Sequence, residues 1–377
     1  MSPENWQVRV DRRIYILTGI VLGVGGVMLS YAGNPPNTGL CISCFMRNIS
    51  GALALHDNLR MQYLRPELPA IVTGAFIASF LSGNFRPRTT GAGFTGFLGG
   101  MFMMIGCSVF IGCPVKMVLR LSGGDITALS GLAGLSTGVF LALRYLEGGF
   151  TTGKRFELPA KGGILFPVFW IGLLMLLVME PGAFHSSIKG SAALHAPVVV
   201  SLIVGLFIGW VCQVSRFCIT GGIARLFLWG PGESFSCPRS SGLLLAIGVF
   251  FLSGLVTAIF TGQFHPGIIG QPSSNGDYLW NAAGMAVVGF ASVLLRGCPL
   301  RQLVRAGEGD TDAGITVLGM LVGATVVERW GIAGTADGTP LNGRIAVLLS
   351  SMILVLVATL MRERGRGFAP EFQKDLD

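Results

Sequence analysis

Cysteine is the residue type in this chain with the most chemistry to offer, and its spacing is patterned. Cysteines stand at 41, 44, 107, 113, 212, 218, 237 and 298, and two of them sit in Gly-Cys-Pro triplets, Gly112-Cys113-Pro114 and Gly297-Cys298-Pro299. Proline suits the first position of a helix, so the cysteine before it falls on the cap. Unpaired backbone N–H groups and the positive helix end converge there, which draws anions. A cation follows three residues later on the same helical face: Lys116 after Cys113, Arg301 after Cys298 and Arg47 after Cys44. The same face returns with Arg120, Arg305 and, after Cys218, Arg225. A thiol and a cation at a helix start suit a small anion with an affinity for sulfur. A permanent charge in a narrow throat would trap that anion, whereas weak, polarisable S–H donors can hand it on.

The candidate substrate-binding set is therefore Cys41, Cys44, Cys113, Cys218 and Cys298 with Arg47, Lys116 and Arg301. The competing reading is that the cations snorkel towards headgroups and the thiols only pack, and packing is the simplest role for Cys107, Cys212 and Cys237. Cys41-x-x-Cys44 also has the spacing of a redox pair, which would make the chain a membrane thiol oxidoreductase. His56, His185, His195 and His265 are scattered, and neither an HExxH motif nor paired carboxylates occur. No catalytic set, metal or cofactor is expected, and the chain reads as a non-enzyme.

The elements that must hold these residues are set by composition. Of 377 residues 51% are hydrophobic, 12% are charged and 56 are glycine, and the mean hydropathy is +0.66. A soluble domain carries about 25% charged residues and about 7% glycine. A soluble enzyme, a nucleic-acid-binding domain and a disordered chain are thereby excluded. Apolar runs long enough for a bilayer core lie at about 14–32, 66–83, 91–110, 125–143, 164–180, 197–212, 242–262, 280–296, 310–328 and 344–361. Arg9, Arg12 and Arg13 precede the first, which reads as a retained span and not a cleaved signal peptide. With the N-terminus inside, only Arg47, Arg60, Arg65, Lys116, Arg120, Lys189, Arg329 and Arg344 of the 27 cations fall outside. That bias predicts both termini in the cytoplasm. Glycines such as Gly23, Gly26, Gly91, Gly96 and Gly100 read as close helix packing, and Asp125 and Asp310 as caps of the spans they begin.

Four segments, 40–58, 112–122, 216–229 and 297–306, are apolar and basic but too short to cross. Such broken helices survive in a bilayer only when buried in protein or lining a cavity. An ungapped match relates Ile111–Gly138 to Arg296–Gly323 at an offset of 298 − 113 = 185. It pairs Lys116 with Arg301, Arg120 with Arg305, Asp125 with Asp310, Gly134 with Gly319 and Gly138 with Gly323. The earlier segments, Cys44 to Leu53 and Cys218 to Leu226, match loosely and with a gap. Each half, about 14–180 and about 197–361, holds five spans. Five is odd, so the halves must run in opposite senses. The expected fold is one all-α polytopic membrane domain of about ten spans and four short re-entrant cysteine-bearing helices, two inverted repeats forming an hourglass.

The motifs resemble the YeeE/YedE family of membrane proteins. The resemblance rests on Gly297-Cys298-Pro299-Leu300-Arg301-Gln302-Leu303 with Gly307-Glu308-Gly309-Asp310, on Gly112-Cys113-Pro114, on the stretch Cys41 to Arg47, and on Phe217-Cys218-Ile219-Thr220-Gly221-Gly222. It spans nearly the whole chain, and the Cys41/Cys44 segment is similar to the selenium-associated YedE branch. The resemblance implies a bacterial inner-membrane importer of a thiosulfate-like sulfur or selenium anion, which central cysteines contact through S–H···S interactions. That role falls by motif on Cys113 and Cys298, and less directly on Cys41 or Cys44. Cys218 is drawn in mainly by the internal repeat. The resemblance also implies a small cytoplasmic sulfur-carrier protein as partner, for which the chain could alternatively serve only as a membrane docking site.

Overall fold

The computed structural model describes residues 12–228 and 238–362. Arg9, Cys237, Arg364, Arg366 and Lys374 lie outside the described residues. Ten long helices fall where the apolar runs predict them: α1 (Arg12–Tyr31), α3 (Glu67–Leu81), α4 (Gly93–Val109), α6 (Ala128–Glu147), α7 (Ala160–Met179), α8 (Val198–Ser215), α10 (Pro238–Phe260), α11 (Tyr278–Leu294), α13 (Thr311–Arg329) and α14 (Leu341–Leu360). The four short segments form α2 (Ile42–Ala52), α5 (Pro114–Ser122), α9 (Ile219–Phe227) and α12 (Pro299–Gly307). Among the described residues the strands are two residues each, Arg88–Thr89 against Phe156–Glu157. Taking α4–α5, α8–α9 and α11–α12 as continuous segments, nine helical stretches among the described residues are long and apolar enough to cross a membrane. The tenth, α3, has 15 residues, short of the roughly 20 that a bilayer core requires. The fold is an all-α polytopic membrane protein.

The breaks between long and short helices are built from a shared backbone device. Ile111, Arg216 and Arg296 take the left-handed conformation, at φ 60°, 52° and 59°. Each follows a long helix and stands two residues before a cysteine. Behind each, the chain closes a Schellman turn: the Gly112 N–H donates to the Cys107 carbonyl at 2.8 Å, Phe217 to Cys212 at 3.1 Å and Gly297 to Ser292 at 2.8 Å. Orphaned carbonyls that would be costly in lipid are thereby satisfied. Arginine completes two of the breaks. Arg120 donates to the Phe110 carbonyl at 3.1 Å and to Asp125 at 2.7 Å, and Arg305 donates to the Leu295 carbonyl at 2.9 Å and to Asp310 at 2.7 Å. Asp310 also caps α13 through the Ala313 N–H, as its position predicts. Burial favours the neutral acid at Asp310, but Arg305 and Arg88 outweigh it and hold the carboxyl below its usual range. Asp125 works differently from expectation: α6 begins after Thr127, and Asp125 accepts from the Thr127 N–H at 2.9 Å.

Packing among the long helices comes in matched sets. α4 lies on α13 as α11 lies on α6, and α1 lies on α10 as α8 lies on α3. Exchanging the first seven helices with the last seven converts each pairing into its partner. The outer helices break the pattern, since α7 rests on α3, α12 and α13 while α14 rests on α4 and α11. Leu165, Met179, Leu348 and Leu360 on these two helices are exposed, a surface suited to lipid. Glycine makes the inner pairs close. A Cβ at Gly134 or Gly138 would come within 2.0 Å of the Ala282 or Ala286 carbonyl oxygen, and one at Gly319 within 2.1 Å of that of Phe97. These are the glycines that the internal match pairs. Gly91 is a different case, with φ +78° and open space where a Cβ would stand, so it serves a turn and not packing.

A side chain at Gly134 or Gly138 must therefore push two backbones apart. Gly138→Leu should cost about 1–3 kcal/mol or more and lower the yield and thermal midpoint of the purified protein on size-exclusion chromatography. A wild-type midpoint would contradict the close crossing.

Candidate functional site

All four short helices begin on a cysteine cap. Cys41, Cys113, Cys218 and Cys298 each hold extended backbone immediately before α2, α5, α9 and α12. Pro114 and Pro299 occupy the first turn of α5 and α12, as the triplets predict. Where proline is missing, sulfur supplies the cap: Cys41 Sγ accepts from the Cys44 N–H at 3.3 Å, and Cys218 Sγ accepts from the Gly221 N–H at 3.4 Å. The neighbouring hydroxyls match too, with Ser43 Oγ at 3.4 Å from Cys41 Sγ and Thr220 Oγ at 3.1 Å from Cys218 Sγ. This corrects the loose alignment of Cys44 with Cys218. Cys41-Ile-Ser-Cys44 falls without a gap on Cys218-Ile-Thr-Gly221, so Cys41 is the counterpart of Cys218 and Cys44 is an additional thiol.

The caps meet in two pairs. Ile42, the residue after Cys41, donates its N–H to Cys113 Sγ at 3.3 Å. In the other half the Cys298 N–H donates to Cys218 Sγ at 3.4 Å. Cys41, Cys113 and Cys298 are fully buried and Cys218 is 8% exposed; Cys44 is partly exposed and its sulfur lies 2.8 Å from that of Cys41. α2 touches α12 and α5 touches α9, which ties the two pairs into one core. Cys107 is buried near the first pair and Cys212 near the second.

The cations divide. Lys116, only 1% exposed, reaches across to Cys44, its Nζ lying 3.9 Å from Sγ. Arg301 turns along its own helix instead and forms a two-pronged bridge to Glu308 at 2.9 and 3.3 Å. Arg47 pairs with Glu328 of α13, so it is drawn away from Cys44. Both Gly-Cys-Pro glycines make room for the cation's stem: a Cβ at Gly112 would come 2.9 Å from Lys116 Cδ, and one at Gly297 3.0 Å from Arg301 Cγ. Among the described residues no cluster of His, Cys, Asp and Glu could hold a metal.

Several buried polar groups have no clear sequence signal. Glu308 stands seven residues after Arg301, two turns along one helical face, which is the only local hint of their pairing. Glu328 comes from a distant span and also accepts from Asn58 Nδ2 at 2.7 Å. Glu67 is fully buried and accepts from Asn34 at 2.9 Å and Ser201 at 3.0 Å. Arg65 sits above the Phe45 ring at 4.8 Å and donates to Asn48 at 2.9 Å, which anchors α2. No local pattern marks Glu67 or Arg65, because their partners come from loops and helices far along the chain.

The arginine clamps behind the caps can be separated from the thiols. Arg120 and Asp125 are both fully buried, and breaking one partner of such a pair costs about 3–5 kcal/mol. Arg120→Met should therefore lower the thermal midpoint sharply, with Arg120→Met/Asp125→Asn recovering part of the loss. Equal midpoints for the single and double variants would show that the charge pair is not what holds the break.

Residues 214–362, from the end of α8 through α14, match the family model described as Sulphur transport. The thiosulfate transporter TsuA of Escherichia coli (strain K12) is 28% identical over 132 residues, which cover 34% of this chain and 34% of TsuA. The chain thus spans about a third of the length of that relative. The matched stretch contains both Cys218 and Cys298 with the helices they cap. The likeness to sulphur-transport proteins thus rests on the stretch of the chain that carries Cys218, Cys298 and the helices they cap.

Proposed function

We propose that this protein is a membrane transporter that moves a small sulfur- or selenium-bearing anion, thiosulfate-like in size and charge, along its capping thiols. The observation that carries the reading is the two cysteine pairs at paired helix starts, Cys41/Cys113 joined by the Ile42 N–H on Cys113 Sγ and Cys218/Cys298 joined by the Cys298 N–H on Cys218 Sγ. Helix N-termini supply partial positive charge without a mobile counter-ion, and S–H donors are weak enough to release a sulfur ligand. Cys44, the partly exposed thiol beside Lys116, is the receiving group, followed by Cys41, Cys113, Cys298 and Cys218. The matched helix pairings support two repeats of opposite sense, and the excess of cations on one side supports cytoplasmic termini in a bacterial inner membrane. A small sulfur-carrier protein would take the product on that side. Two opposed pairs of short helices meeting near the midplane give the hourglass.

Uptake of labelled thiosulfate and of labelled selenite, in cells lacking other importers, decides both the function and the substrate. Cys113→Ala and Cys298→Ala should each reduce initial uptake by about tenfold or more, since loss of one hydrogen-bonding group costs about 1–3 kcal/mol. Wild-type rates in both variants would defeat the thiol path.

The 2.8 Å approach of Cys41 and Cys44 favours a second reading, in which this pair exchanges electrons with a partner dithiol or quinone. Mild oxidation followed by mass spectrometry should then find a Cys41–Cys44 disulfide. Thiols that stay free while uptake continues would leave transport alone standing.

A further inference from the structure

The two halves of the cysteine core are built on one plan but differ in the groups set beside their buried cations. Lys116 and Arg301 occupy equivalent positions, three residues after Cys113 and Cys298. Both are buried, at 1% and 8% exposure. Yet Arg301 is cancelled by the Glu308 bridge, while Lys116 has no carboxylate within ion-pair reach among the described residues, its ammonium lying against the Cys44 thiol. Two exchanges produce the difference. At the place of Glu308, the first half has Gly123 (308 − 185 = 123), and at the place of Cys44 the second half has Gly221 (44 + 177 = 221). A carboxylate was thus placed beside one cation and a thiol beside the other.

Resting on the transport reading, we infer that the substrate anion is held at the Lys116–Cys44 end of the path and let go across the Arg301–Glu308 end. A buried cation without a counter-charge is costly, and an incoming anion removes that cost, so the Lys116 end binds. An anion arriving beside Arg301 meets a charge already balanced and repulsion from Glu308, so the second end releases. The Lys116 end also holds the partly exposed thiol, Cys44, as a collecting site requires. The same pairing explains how an arginine can stand beside the second cysteine pair without becoming a trap.

The test is binding of radiolabelled thiosulfate, and of selenite as a second probe, to the full chain in lipid nanodiscs, with uptake into proteoliposomes alongside. Lys116→Gln should weaken binding by roughly tenfold or more, and Lys116→Arg should restore it. Glu308→Gln should have the opposite effect: roughly tenfold tighter binding with slower turnover, because Arg301 now holds the anion. Arg301→Gln/Glu308→Gln, which lacks both charges, should lose that tightening. Gly123→Glu gives the first half the carboxylate it lacks and should weaken binding as Lys116→Gln does, which keeps the test open if Glu308→Gln fails to fold. Wild-type uptake with unchanged binding in Lys116→Gln and Gly123→Glu, or no tightening in a folded Glu308→Gln, would overturn the inference and leave transport intact. A wild-type protein that neither binds nor takes up either anion would overturn both.

Discussion

A helix that stops inside a bilayer leaves carbonyls behind it and N–H groups ahead of it with no water to satisfy them. The centre of this protein depends on meeting that constraint three times in nearly the same way, after α4, α8 and α11. A left-handed residue and a Schellman turn satisfy the carbonyls, and at two of the breaks an arginine adds a further donor. On the other side of the break, a cysteine caps the short helix. In this way the break that lipid would forbid becomes a place where partial positive charge and a polarisable thiol face the interior together.

The close glycine crossings and the broken helices need each other. α6 can lie on α11 and α13 on α4 only because Gly134, Gly138 and Gly319 leave no side chain between the backbones. Those tight pairs bring the short helices between them to the same core, so that Cys41 meets Cys113 and Cys218 meets Cys298. The plan is symmetric, but the charges laid on it are not. Glu308 and Gly123, and Cys44 and Gly221, occupy matching places and give the two ends different electrostatic characters. The backbone plan is thus symmetric while the buried charge laid on it is not.

Much of this was legible in the residues. The ten long and four short helices follow from apolar run length, because a bilayer sets both the minimum span and the cost of falling short. The cap positions of Cys113 and Cys298 follow from the proline after each. Local similarity points to the wrong cysteine here: a cation follows both Cys44 and Cys218, while the capping geometry belongs to Cys41. The cations were the other blind spot. Spacing puts Lys116, Arg301 and Arg47 on the face of a cysteine, but it does not say which neighbour each side chain will choose.

By itself, then, the sequence determined that the chain is a polytopic membrane protein, roughly where its helices run and break, and that two thiols cap helices at matching places in two halves. These properties depend on short-range patterns, namely hydropathy over a span and proline, glycine or cysteine within a turn. Only the tertiary structure decided that Cys41 and not Cys44 is the first-half counterpart of Cys218, that Lys116 reaches Cys44, and that Glu308 and Glu328 neutralise Arg301 and Arg47. A long, flexible cation in a low-dielectric interior is drawn to whichever opposite charge or soft acceptor the packing brings within a few ångströms. What comes within that distance is set by helices far apart in the chain.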